Sequence, residues 1–171
     1  MTRYISIDVG VKNLAYCVCF ERTISDWNVL ALTNAKKPSL IELGERVMHC
    51  FDELGLASKA DVVLIENQVA PLASNMKSLQ CMIAQYFIMR DIPHTNIHFI
   101  PASLKLKGIS KKGTTYKERK ALGVTMCLKY IAMYEDESNA SKWAQFVQCH
   151  KKKDDLCDSY MQCIGFVGAD K

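Results

Sequence analysis

The chain has 171 residues, 49% of them hydrophobic and 23% charged, with a formal net charge of +4. That is one domain's length with the composition of an ordinary soluble protein, and no apolar run approaches the roughly 20 residues a bilayer span needs. The first residues lack a leader's basic and apolar segments, and the eight cysteines form no Cys-x-x-Cys pair, so reduced thiols in an intracellular compartment are expected. A zinc site built from Cys149, His150, Cys157 and Cys163 has poor ligand spacing.

Taken in order, Tyr4-Ile5-Ser6-Ile7 reads as a buried strand that ends on Asp8. A charge at such a place costs desolvation free energy unless a cation compensates it. Gly10 lets a backbone or a phosphate come close to it. The stretch alone fits an Asp opening a hairpin turn equally well. Leu14 to Phe20 alternates as a second strand after a turn at Lys12-Asn13, and Ile24 to Leu32 completes an antiparallel meander. Ser39-Leu40-Ile41-Glu42 has the form of a capping box. Leu40, Leu43, Val47, Phe51 and Leu54 follow at helical spacing, with Gly55 as the stop.

Asp61 to Glu66 repeats the opening theme: an apolar run without alternation, ending on a carboxylate, as in a strand covered on both faces. Strand, helix and strand predict a parallel crossover, which sets Asp8 and Glu66 at one sheet edge on strands about 4.8 Å apart. Two such carboxylates repel unless a divalent cation lies between them. A helix is predicted over 75–90, its methionines core filler, then a short strand over 96–100 and a basic loop from Pro101 to about Thr115. A helix over 116–134, a polar surface loop over 135–141 and a short helix over 142–148 follow. The last helix opens with Asp154 or Asp155 as N-cap. Asp158 shares a face with either acid, at i+4 and i+3. Together with the strand-end pair they offer hard oxygen donors suited to divalent cations.

Between Pro101 and Lys120 seven Lys or Arg stand against one acid, Glu118, a local excess of +6 that leaves −2 for the rest of the chain. Cations at a helix start oppose its dipole, so Lys111, Lys112, Lys117, Arg119 and Lys120 are read as contacts for a bound polyanion. Lys151-Lys152-Lys153 adds a second cluster.

Four pieces now stand in order: Ile7-Asp8-Val9-Gly10-Val11-Lys12-Asn13, Ile65-Glu66-Asn67-Gln68, Tyr116-Lys117-Glu118-Arg119-Lys120, and Lys152-Lys153-Asp154-Asp155-Leu156-Cys157-Asp158-Ser159. Together they resemble the RuvC-class Holliday-junction resolvases of the ribonuclease H-like superfamily, in particular the poxvirus and fungal mitochondrial branch. The resemblance implies an α/β fold in a single domain over 1–171, with a five-stranded mixed sheet, three antiparallel strands then parallel crossovers, flanked by helices. It implies a homodimer that cuts four-way DNA junctions in recombination and repair. The reaction implied is phosphodiester hydrolysis with two Mg²⁺ ions per site, Mn²⁺ able to substitute, leaving 5′-phosphate and 3′-hydroxyl ends. No small-molecule cofactor and no membrane enter. The catalytic metal ligands carried over are Asp8, Glu66, Asp155 and Asp158. Asp154 remains open as the helical ligand, although the Asp-x-x-Asp spacing of bacterial relatives favours Asp155. A viral protein of this kind is expected in the host cytoplasm, any other in the mitochondrial matrix or nucleus. The rival reading is a ribonuclease H-like nuclease acting on RNA–DNA hybrid or structured RNA.

Overall fold

The computed structural model describes residues 2–69, 74–106 and 114–169. Strands β1 (Arg3–Asp8), β2 (Asn13–Phe20) and β3 (Thr23–Ala31) pair antiparallel as a meander. The tight entry into β2 depends on Gly10, where an added Cβ would stand 2.2 Å from the carbonyl oxygen of Asn13. The close approach this glycine permits is therefore the chain's own. Helix α1 (Leu40–Glu53) starts on a complete capping box: Ser39 Oγ accepts from the Ile41 amide and Glu42 Oε2 accepts from the Ser39 amide. β4 (Val62–Glu66) then joins β1 in parallel, and β5 (Ile97–Ile100) joins β4 in parallel after α2 (Ser74–Ile88). The sheet order is β3-β2-β1-β4-β5. Helices α3 (Tyr116–Tyr134), α4 (Glu137–Cys149) and α5 (Lys153–Ala169) complete the chain.

Two cores lie on opposite faces of the sheet. Ile5, Ile7, Val63 and Ile65 pack with Leu43, Val47 and Phe51 of α1 and Leu79, Ile83 and Phe87 of α2. Leu64, with Val62 and Tyr4, packs on the other side with Cys157, Tyr160 and Ile164 of α5. Successive strand side chains alternate faces, so Asp8 and Glu66, in step with Tyr4, Val62 and Leu64, fall on the α5 side. Ile7 pairs with Ile65, which sets the two carboxylates beside one another. Trp27 of β3 ties α5 down, its indole N–H donating to Leu156 O at 2.9 Å and Ser159 Oγ at 3.0 Å.

Four expectations change. β2 is buried from Leu14 to Cys19 rather than alternating, because helices cover both faces of the sheet. The polar stretch over 135–141 is largely helix: Asp136 is an N-cap whose carboxylate accepts from the Asn139 amide at 2.9 Å, and α4 begins at Glu137. α5 begins at Lys153, so Asp154 and Asp155 lie in its first turn and neither is the N-cap. The segment after Pro101 opens as a 3-10 turn, Ala102–Leu106, rather than as free loop. All eight cysteines are unpaired. Among the described residues no helix is long and apolar enough to cross a membrane.

Candidate active site

The C-terminal ends of β1 and β4, the 3-10 turn and the starts of α3 and α5 surround a cleft of about 410 Å³. Asp8, Glu66, Asp155 and Asp158 all line it, with Arg119 and Lys120 on its α3 side. The first four are the acids expected from the strand ends and the last helix.

At its centre is a residue that sequence reasoning did not single out. Lys105 is only 6% exposed, and its ammonium lies 2.7 Å from Asp8 Oδ1, 3.0 Å from Glu66 Oε1 and 3.3 Å from Asp158 Oδ2. The 3-10 turn delivers it by lying against α5 at Gly165, where an added Cβ would meet Leu104 O at 2.8 Å. In the sequence Lys105 is one of seven cations in a basic stretch. Its one distinguishing sign in the sequence is its setting between two apolar residues, Leu104 and Leu106.

The charges are strongly interdependent. Burial, then the neighbouring Asp8 charge, pushes the Glu66 carboxyl up to about 7, and Lys105 offsets part of the rise. Asp158 is also raised by burial, with Lys105 opposing. Asp155 is raised by burial and by Asp154 and Asp8. Burial alone would lower the Lys105 ammonium, but Asp8, Asp158 and Glu66 outweigh it and hold the group charged.

Glu66 is also oriented from behind. Gln68 Nε2 donates to Glu66 Oε2 at 2.8 Å, and the Gln68 amide donates to Oε1 of the buried Gln80 at 2.8 Å. Gln80 belongs to α2, so the crossover helix fixes the carboxylate of the strand before it.

The Asp154–Asp155 doublet divides by partner. Asp154 is ion-paired with Lys120 of α3, a bond that lowers its pKa against the effect of burial, whereas Asp155 lines the cleft. The pairing gives Lys120 a structural partner, so an anion is not needed to explain that cation. Arg119 and Lys117 are exposed, Arg119 donating to Thr114 O at 3.1 Å. Lys111 and Lys112 lie outside the described residues.

Among the described residues, no three His, Cys, Asp or Glu side chains approach closely enough to hold a metal ion as they stand. The acids fit one chemically all the same. They supply only oxygen donors, as Mg²⁺ requires, and three of them already converge on one cation, the Lys105 ammonium.

Sheet order and pairing senses are those of the ribonuclease H-like fold of the RuvC kind. The chain is similar to the fowlpox virus resolvase solved with Holliday junction DNA, with a TM-score of 0.68 and 18% identity over 98% of this chain and 97% of that one. It is similar also to Thermus thermophilus RuvC, at TM-score 0.64 and 14% identity over 98% and 95% of the two chains. The yeast mitochondrial Holliday junction resolvase Ydc2 gives 0.54 and 16%, covering 97% of this chain and 78% of its own. By sequence, the chain belongs to the Poxvirus A22 protein family, matched over residues 4–169. The uncharacterized protein L451 of Acanthamoeba polyphaga mimivirus is 27% identical over 143 residues, 72% of this chain. The chain spans about a third of that curated relative's length, 32%.

Proposed function

We propose that the protein is a Holliday-junction resolvase, a divalent-metal endonuclease that cuts four-way DNA junctions as a homodimer. The observation that carries this reading is the gathering of Asp8, Glu66 and Asp158 around one cation, with Asp155 in the same cleft, in a chain of this family. Asp8, Glu66, Asp155 and Asp158 would hold Mg²⁺, whose chemistry there would be Lewis-acid activation of water and charge stabilisation at the leaving 3′ oxygen. Gln68 and Gln80 keep Glu66 aimed into the cleft. Lys105 gathers the acids and keeps positive charge beside them. Lys117 and Arg119, exposed at the start of α3, meet the phosphates of the DNA arms. A dimer supplies two such clefts, one for each strand that must be cut.

The test offers the full chain a mobile four-way junction, a linear duplex and an RNA–DNA hybrid, with Mg²⁺, Mn²⁺ or EDTA. Symmetric nicks in the junction that a ligase reseals, in metal alone, are the expected result. Cleavage of the hybrid with the junction left intact overturns the reading in favour of a ribonuclease. Light scattering at working concentration checks the dimer.

A further inference from the structure

Tyr116 is the first residue of α3, and 66% of it is exposed. It lines the same cleft as the four acids. Packing gives no reason for an aromatic there, because a ring left in water gains little from burial, and tyrosine is not a favoured helix former. The ring is nevertheless held in place. Lys120, one turn further on, has its Nζ 5.1 Å from the ring centroid, a cation–π contact. That ammonium is ion-paired with Asp154 in the first turn of α5. The backbone below is fixed by a capping box in which Glu118 Oε2 accepts from the Thr115 amide at 2.7 Å and Thr115 Oγ1 accepts from the Glu118 amide at 3.3 Å. Tyr116, Lys120 and Asp154 thus form a brace from α3 to α5 that presents an aromatic surface beside the acid cluster.

A ligand for this arrangement needs two chemistries side by side: a phosphodiester for the metal-binding acids and a flat π-surface for the ring. A nucleotide within a nucleic-acid strand has both. In an intact duplex the faces of its base are stacked on neighbours, so only a base unstacked at a discontinuity can meet the ring.

We propose that Tyr116 is the stacking platform for an unpaired nucleobase at the branch point, on the strand whose phosphate enters the acid cleft. The proposal rests on the resolvase reading and deepens it: part of the selectivity for branched DNA comes from a base free to stack. Every base has a π-face, so the contact favours structure over sequence.

The experiment measures binding of the full chain to labelled DNA in EDTA, where metal-dependent cutting is suspended. The probes are an intact four-way junction, a series with one abasic nucleotide at each position flanking the branch, a linear duplex, and a duplex with one bulged base. The proteins are wild type, Tyr116→Ala, Tyr116→Leu, Tyr116→Phe and Tyr116→Trp, each checked by thermal melting. Alanine and leucine should each weaken intact-junction binding on the order of tenfold, with phenylalanine and tryptophan near wild type. At one abasic position the penalty of the alanine and leucine variants should disappear. The proposal is overturned if those two variants bind the intact junction like wild type, or if their loss persists at every abasic position. A wild-type protein that prefers the junction no more than the linear duplex instead sinks the resolvase reading. The bulged duplex then decides the stacking, which fails if aromatic and non-aromatic variants bind it alike.

Discussion

Lys105 Nζ stands 2.7 Å from Asp8 Oδ1, although 97 residues separate the two. The ammonium also touches Glu66 and Asp158, so the single positive charge of one lysine is shared among carboxylates from two strands and one helix. Removing one member of a buried ionic group leaves the others uncompensated, at about 3–5 kcal/mol. Lys105→Met should therefore melt well below wild type in EDTA at pH 8, and saturating Mg²⁺ should close most of the gap by supplying the missing charge. Differential scanning fluorimetry with and without the ion reads both effects. Equal melting temperatures in EDTA would show that the lysine does not hold the cluster together.

Glu66 sets a pH dependence of definite sign. Its folded-state carboxyl is raised from an ordinary 4.5 to about 7, so between those values the unfolded chain has lost a proton that the folded chain retains. The Glu66 contribution to the stability of the metal-free protein is fully present below about 4.5 and is lost as pH rises through 7. At about 1.4 kcal/mol for each factor of ten in proton affinity, the loss is on the order of 3 kcal/mol. The raised Asp155 and Asp158 act in the same direction. Asp52, Asp61 and Asp136, which are lowered, act below this window. Urea denaturation in EDTA from pH 5 to 8 should show the decline, and Glu66→Gln should flatten it. A wild-type curve that climbs over this range would contradict the burial of an ionisable Glu66.

Asp8, Glu66 and the α5 pair were legible because the sequence carries their physics locally. A strand that stays apolar to its last residue and then ends on a charge announces a compensated carboxylate, and strand alternation puts both charges on one face. Lys105 was not legible. Counting it by sign placed it among cations for an external polyanion, whereas what turns it inward is the contact of Leu104 with Gly165 on α5. The start of α4 was misread for a related reason. Asp136, Glu137, Ser138 and Asn139 look like a solvated loop by composition, yet the same polar atoms cap a helix. The sequence favours Asp155 over Asp154 only through the spacing seen in bacterial relatives, and what separates the two physically is Lys120 of α3, which takes Asp154.

That division makes the doublet testable. Asp155→Asn, like Asp8→Asn and Glu66→Gln, should reduce junction cleavage to background and weaken divalent-cation binding measured by calorimetry, while junction binding in EDTA persists. Asp154→Asn breaks a part-exposed ion pair, a change of about 0–1 kcal/mol in stability, and should affect metal affinity far less. If Asp154→Asn is the more damaging of the two in calorimetry, Asp154 is the ligand and its bond to Lys120 yields when metal binds.

The exposed cations of α3 answer to salt. Lys117 and Arg119 lie in its first turn, where positive charge is unfavourable for the helix dipole and a phosphate would relieve the repulsion. Each phosphate neutralised releases condensed counterions and adds about −0.9 to the slope of log affinity against log salt concentration on duplex arms. The double variant Lys117→Gln, Arg119→Gln should therefore bind junctions more weakly at low salt, with a slope shallower by about 1–2. The loss should be equal for junctions of different sequence, because phosphate contacts position DNA without reading it. Fluorescence anisotropy from 25 to 300 mM salt, on the order of one decade, spans the range needed. A slope unchanged from wild type would mean that the DNA arms leave the cleft by another face, away from the start of α3.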